Sequence, residues 1–457
     1  MSEKKALGSV DLLHGPILKN MIIFMIPIFI SNCFQQLYNA VDTALVGHVL
    51  GESSLAAVGA TASIFELLVG FSMSLGAGFS IVISRAFGEG NTKKMRQAVA
   101  GSIEIGIFTC IVLTILSGVA LKPLLLLIDT PAEILDQAYS YISVIGYFVF
   151  VMFAYNLCSG ILRSIGNSVM PLVFLVFSSL LNIFLDYAFM KWLGMGVAGA
   201  AIATVAAQGI SAVLCIIYMI TKVKEVVPTL DEFKVDGALM KDLAGQGYAM
   251  AIMGSIVSVG SIILQSGING LGTKIIAGHV AARKVYALMN LPFMSMGLAV
   301  STFIGQNKGS NQGKRILVAM KDAYLFDVVF AIVCTIILWT TAPSLIHLIS
   351  GSNDPTILSN GSRFLYVVGP FYAILGMLMQ TRFALQGLGS KILPLFSSVI
   401  ECVGKILFTI FLIPVFQYEA VIWCEPIIWC LMLVELLISF HNNAYVKQVK
   451  LEMKQAN

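Results

Sequence analysis

PIFISNCFQQLYNAVDTALVGH, residues 27–48, lies inside the first long apolar segment of the chain, yet it carries Asn32, Gln35, Gln36, Asn39 and Asp42. These positions recur every three or four residues, so on an α-helix they form one polar stripe. A carboxylate at membrane depth costs roughly 2.5–3.5 kcal/mol on insertion scales unless something compensates it. Asp42 is therefore expected to face a water-filled or protein interior and to act there.

Composition sets the solvent. Apolar residues make up 58% of the 457 residues and charged ones 11%, too few charges to cover a soluble surface of this size. The chain reads as an integral membrane protein embedded in a lipid bilayer. Its net charge of +4 comes from dispersed basic residues, which gives no footprint for nucleic acid. The eight cysteines are scattered through apolar segments without a CxxC pair and read as packing residues. The opening MSEKKALGSVDLLHG lacks a short apolar core with a cleavage site, so the first apolar segment is expected to be retained.

Twelve segments have the length and apolarity of a transmembrane helix: roughly 18–45, 54–82, 97–121, 134–160, 169–191, 197–221, 244–270, 276–303, 317–341, 361–386, 392–416 and 420–444. Helices are the expected spanning element, because backbone groups in lipid must be satisfied within the segment. With both termini cytoplasmic, 21 of the 28 Lys and Arg residues fall on the inner side. Only Lys122, Lys191, Lys274 and Arg363 fall outside. An even number of spans and this bias support the same orientation. A multi-pass protein of the cell (plasma) membrane, including a bacterial inner membrane, fits.

The halves resemble each other. Residues 161–171, ILRSIGNSVMP, align with 384–394, ALQGLGSKILP, at an offset of 223, and Leu50-Gly51 aligns with Leu271-Gly272 at 221. The loop FGEGNTKKMRQA (87–98) holds the same place as IGQNKGSNQGKRILVAM (304–320). A duplication of six helices follows, with its repeat axis along the membrane normal. The expected fold is all-α, with twelve transmembrane helices in two pseudo-symmetric six-helix bundles. Residues 1–221 form the first lobe, 222–242 a polar cytoplasmic linker, and 243–457 the second lobe.

A second carboxylate, Asp186, lies in the fifth segment, where Ser178, Asn182 and Asp186 fall four apart on one helical face. Thr204, Gln208 and Ser211 form a similar stripe in the sixth. Carboxylates with amide and hydroxyl oxygens suit Na⁺ as hard ligands, or a shared proton. The plainer reading is a polar network that fixes helix packing. The second half lacks both acids: Ile263 stands at the place of Asp42, Lys405 at that of Asn182 and Thr409 at that of Asp186. It carries instead Glu401 and Lys405, an i,i+4 pair able to neutralise itself. Arg283 and Lys284 lie deep in the eighth segment, where they could meet an anionic group. The other ionisable residues in the segments are Glu66, Glu104, Asp322, Asp327, Glu425 and Glu435; several lie near helix ends, where long side chains can snorkel. His48 and His279 are expected at helix ends. Gln35, Asn39, Asn156, Gln208, Gln265, Asn269 and Arg283 are candidates for a substrate path.

Enzyme signatures are missing. GMGVAG (194–199) matches a dinucleotide fingerprint only formally, since it joins two membrane helices. GSNQGKR (309–315) lacks the spacing and the Ser or Thr of a phosphate loop. The chain is expected to be no enzyme, to need no cofactor and to draw energy from an ion gradient.

VDTALVGH in the first segment, GAGFSIVISRAFGEGN after the second, LRSIGNSVMPL before the fifth and FIGQNKG after the eighth together resemble the multidrug and toxic compound extrusion (MATE) transporters, in particular their prokaryotic DinF-like branch. The resemblance covers essentially the whole chain. It implies two six-helix lobes in a V, exporting organic cationic or aromatic drugs in exchange for H⁺ or Na⁺ by alternating access. It also implies a cation-coupling site, able to take Na⁺ or a proton, at the matching Asp42, Asn182, Asp186 and Thr204, and a hinge at Pro27 of the first helix. The acids that another branch uses in the seventh and tenth helices are missing here, which points to coupling in the first lobe. The protein is expected to act on small molecules as a monomer. A lipid-linked saccharide flippase of the same superfamily is the alternative, with Arg283, Lys284 and Lys405 as pyrophosphate ligands.

Overall fold

The computed structural model describes residues 8–455. Among the described residues the backbone is helical almost throughout, and the one extended pairing is an isolated bridge between Ser9 and Asn167. Eleven helices are each long and apolar enough to cross a membrane, and a pair bent by 48°, α5 (Ala132–Tyr147) and α6 (Val149–Ser164), supplies a twelfth span. The all-α, twelve-span expectation holds.

Contacts divide the chain into two units. The first holds Ile26–Ala251 with the described residues up to Asp11, and the second holds Leu12–Met25 with Ile252 onward. The division comes later than the polar stretch 222–242 read as a linker. That stretch packs on the first unit: Val226 is buried, and Arg96 donates to the carbonyl of Glu225 at 3.1 Å. A capping box at Thr229, with Glu232 accepting from its backbone N–H at 2.7 Å, orders the turn between. At the other end, α1 (Ile17–Leu50) belongs to the second unit up to Met25 and to the first from Ile26.

In the first unit, α1 continues into α2 (Glu52–Ala60), α3 (Ala62–Gly88) and α4 (Thr92–Leu127). The bent pair α5 and α6 follows, then α7 (Val169–Tyr187) with a π-helical end at Ala188–Trp192, and α8 (Gly196–Lys222). Asn91 starts α4 as an N-cap, accepting from the backbone of Lys94 at 2.9 Å. Phe79 of α3 meets Phe153 of α6 edge to face. Gly106 of α4 makes room for that ring, since a Cβ there would lie 2.1 Å from it.

In the second unit come α9 (Gly237–Asn269, which enters it at Ile252), α10 (Thr273–Gly309) and α11 (Gly313–Ser350). After these run α12 (Pro355–Val368), α13 (Tyr372–Gly387) and α14 (Ile392–Leu407). Then follow a π-helical turn at Phe408–Leu412, the short α15 (Ile413–Phe416), α16 (Tyr418–Asn442) and α17 (Ala444–Gln455).

The backbone repeats as the sequence does. Left-handed or extended glycine conformations recur in register at Gly51 (φ 91°) and Gly272 (φ 98°), and at Gly166 (φ 87°) and Gly389 (φ 78°). Gly90 (φ 66°) is matched by Asn311 (φ 56°), one of the few side chains that tolerate this region. Pairing repeats too: α3 packs on α6 as α10 does on α13, and α7 on α8 as α14 does on α16. Both halves also place a five-residue π-helix at the end of the helix that follows the LRSIGNSVMP-type motif.

Candidate functional site

In the first unit the polar stripes of three helices meet. Asp186 and Asn182 on α7 and Thr204 on α8 are buried, at 0%, 2% and 5% exposure, and Asp42 on α1 is partly buried. The spacing of four on α7 puts Asn182 and Asp186 on the same face, as expected. The carboxylates of Asp42 and Asp186 lie within electrostatic reach of each other. Apart from the contact between the two carboxyl groups, neither oxygen of Asp186, neither end of the Asn182 amide, nor Oδ1 of Asp42 has a hydrogen-bond partner. A structural polar network would satisfy such atoms, because each buried orphan costs about 1–3 kcal/mol. The carboxylate oxygens and the Asn182 carbonyl oxygen are acceptors that an exchangeable cation can use. The Thr204 hydroxyl donates to the carbonyl of Ala200 at 3.1 Å, which leaves its oxygen able to accept or to ligate.

Two phenols that the sequence analysis did not single out border this pair. Tyr38 and Tyr141 lie within electrostatic reach of both carboxylates. Tyr38 sits one turn before Asp42 on the same stripe, a signal the sequence does contain. Its hydroxyl accepts from Nε2 of Gln208 at 3.4 Å. Tyr141, on α5, has no pattern linking it to the stripe.

The substrate-path candidates divide between the units. In the first, Asn39 is exposed, Gln35 lies next to Tyr38, Gln208 reaches Tyr38, and the Asn156 amide donates to Met152 of its own helix at 2.8 Å. In the second, Gln265 donates to Asn269 at 2.9 Å, and Gln265 and Arg283 line one cavity together with Ser261, His279 and Glu425.

In the second unit Asp327 is fully buried at mid-helix, accepting from Gln380 at 3.0 Å, so it is not among the residues that snorkel. Glu425 is likewise internal, held by Arg283 at 2.7 Å, because α10 supplies a cation the single-helix reading could not see. His279 is buried in the packing, its Nδ1 3.3 Å from the Tyr418 hydroxyl and its ring edge-on to Phe364. The Glu401–Lys405 pair forms as expected, at 2.9 Å, and Lys405 also donates to Ser261 at 3.0 Å. Of Arg283, Lys284 and Lys405, only Arg283 lines the cavity: Lys284 is exposed, and Lys405 reaches the cavity residue Ser261 but is held by Glu401.

Comparison with known proteins follows the same division. The MatE family model matches twice, at residues 27–188 and 249–411, once in each repeat. The chain is 26% identical over 387 residues to the probable multidrug resistance protein YpnP of Bacillus subtilis, covering 83% of each chain. It is 23% identical over 431 residues to the multidrug export protein MepA of Staphylococcus saprophyticus, covering 93% of this chain and 92% of that one. Among solved structures, a MATE protein in its bent conformation superposes with a TM-score of 0.88 at 22% identity, covering 98% of both chains.

Proposed function

The chain belongs to the MatE family of membrane transporters, and from that premise we propose that it exports organic cationic or aromatic compounds in exchange for H⁺ or Na⁺ by alternating access of two lobes. It is a multi-pass transporter and not an enzyme. The observation that carries the finer reading is the pairing of the partly buried Asp42 with the buried Asp186, on helix faces that also carry Asn182 and Thr204.

Two carboxylates in a protein interior repel each other and lack the hydration they would have in water. A proton or a Na⁺ entering between them relieves both penalties, so the ion is cargo and driving force at once. Amide and hydroxyl oxygens from Asn182 and Thr204 complete a hard-ligand set for Na⁺. An ion that binds one arrangement of the protein better than another shifts the population toward it, and the gradient then drives the cycle.

Pro27 supports a hinge in α1. Proline has no N–H to give the carbonyl one turn earlier, which weakens the helix at that point. The helix changes unit two residues before it, between Met25 and Ile26. Asp42 is on the far side of this soft point from the helix N-terminus. The Lys and Arg distribution supports cytoplasmic termini in a cell membrane. Action as a monomer is part of the proposal. The flippase alternative is the weaker reading, because Lys284, one of its three cations, is exposed and only Arg283 lines the cavity.

The test is Asp42→Asn in a drug-sensitive bacterium. Export coupled through Asp42 predicts loss of resistance at normal membrane abundance. Resistance at the wild-type level would remove Asp42 from the coupling site.

A further inference from the structure

The second unit contains a cluster of mixed charge, unlike the acidic pair in the first. Arg283 pairs with Glu425 at 2.7 Å, and Glu401 lies between Lys405 at 2.9 Å and Arg382 at 3.7 Å. Glu435 is within electrostatic reach of Arg382, so three cations face three carboxylates. Their exposure differs. The Lys405 and Arg382 side chains are 4% and 8% exposed, whereas that of Arg283 is 37% exposed and borders a cavity of about 90 Å³. One N–H of Arg283 binds Glu425 and its guanidinium lies over the Tyr286 ring at 4.6 Å, so its plane is fixed while donors remain unused.

Glu425 has the complementary feature. The residue is 94% buried, from its 6% exposure, and lines the same cavity. Only Oε1 meets Arg283, and Oε2 has no hydrogen-bond partner. The cavity therefore presents a donor edge and an acceptor edge side by side, the two outer edges of one ion pair. Gln265, whose amide nitrogen is engaged by Asn269, keeps its carbonyl oxygen as a further acceptor.

We propose that this cavity is a binding site for a zwitterionic head group of the α-amino-acid type, its carboxylate on Arg283 and its ammonium on Oε2 of Glu425. A bare anion would meet the free Glu425 oxygen, and a bare cation would meet the unused donors of Arg283. A zwitterion laid antiparallel to the Arg283–Glu425 pair satisfies both. The volume takes the head group and little more, so the rest of the ligand extends outward past Phe364 and Val421. The inference deepens the transport reading, on which it rests for the step that makes the ligand cargo. Binding itself does not depend on the coupling assigned to Asp42 and Asp186.

The test is equilibrium binding by calorimetry to the purified full-length protein in nanodiscs, with three probes of one shape. These are L-phenylalanine, phenylalaninol, which lacks the carboxylate, and phenylpropionate, which lacks the ammonium. The wild type is expected to prefer phenylalanine over each analogue by about tenfold or more. Arg283→Gln should erase the preference over phenylalaninol, and Glu425→Gln the preference over phenylpropionate while improving phenylpropionate binding. A misfolded variant cannot produce that crossed pattern or a gain of affinity. Asp42→Asn should retain the wild-type preference even where it stops transport, which separates failure of this site from failure of the coupling reading. Equal binding of the three probes, no binding of phenylalanine to the wild type, or a preference that survives both second-unit substitutions would overturn the proposal.

Discussion

Asp186 of α7 is fully buried and faces the carboxyl of Asp42 on α1, and its carboxylate oxygens have no hydrogen-bond partner apart from that group. Residues that hold one ion between them act as a unit, so their substitutions do not add. The double variant Asp42→Asn/Asp186→Asn is expected to confer no less drug resistance than either single variant, each near the vector-only level. Growth inhibition assays across a panel of cationic compounds check this. Additive partial losses would show two independent carboxylates.

Tyr38 connects the acidic pair to α8 through Gln208, whose amide reaches its hydroxyl at 3.4 Å. Removing one hydrogen bond of this kind is worth about 0.5–1.5 kcal/mol, or about two- to tenfold in affinity. Tyr38→Phe is expected to lower export by that factor and leave protein abundance unchanged. Initial-rate efflux from loaded cells measures it.

Glu401 carries two ion pairs, to Lys405 and Arg382, and its side chain is 13% exposed. Removing Glu401 alone strands both Lys405 and Arg382, at about 3–5 kcal/mol for a buried partner, whereas replacing Glu401 and Lys405 together by apolar groups strands Arg382 alone. Glu401→Gln is expected to lower the melting temperature of the purified protein more than the double variant Glu401→Leu/Lys405→Met. The reverse order would mean that the pair is not buried in the working protein.

Gly106 and Phe153 in the first unit have an inverted counterpart in the second, where Gly376 of α13 makes room for Asp327 of α11. The duplication kept one small and one large partner at this crossing and exchanged which helix supplies which. Gly106→Ala forces the phenyl ring out of place and should destabilise by about 1–3 kcal/mol. Gly106→Ala/Phe153→Leu should recover part of the loss. Thermal denaturation in one detergent compares the variants.

The membrane fold was legible because lipid imposes it: spans of a fixed length, few charges, and basic residues on one side. Asp42 stood out because a charge in that setting has to be compensated, and Asn182 and Asp186 because a spacing of four defines one helical face. Tyr38 lay on the same stripe but looks like any membrane tyrosine, since nothing local says that its hydroxyl meets Gln208. Tyr141 and the Arg283–Glu425 pair were out of reach for a different reason. Their partners sit on helices distant in sequence, and a period along one helix says nothing about which neighbour it will face. The same limit explains Asp327, whose partner Gln380 comes from another helix.

The most direct measurement is ion flux in proteoliposomes loaded with a cationic fluorescent drug, under an imposed Na⁺ gradient or an imposed pH gradient applied separately. The account predicts that one gradient drives drug movement in the wild type, with ion moving the opposite way, and that Asp42→Asn and Asp186→Asn each abolish both fluxes together. Drug-dependent ion flux at the wild-type rate in either variant would contradict it.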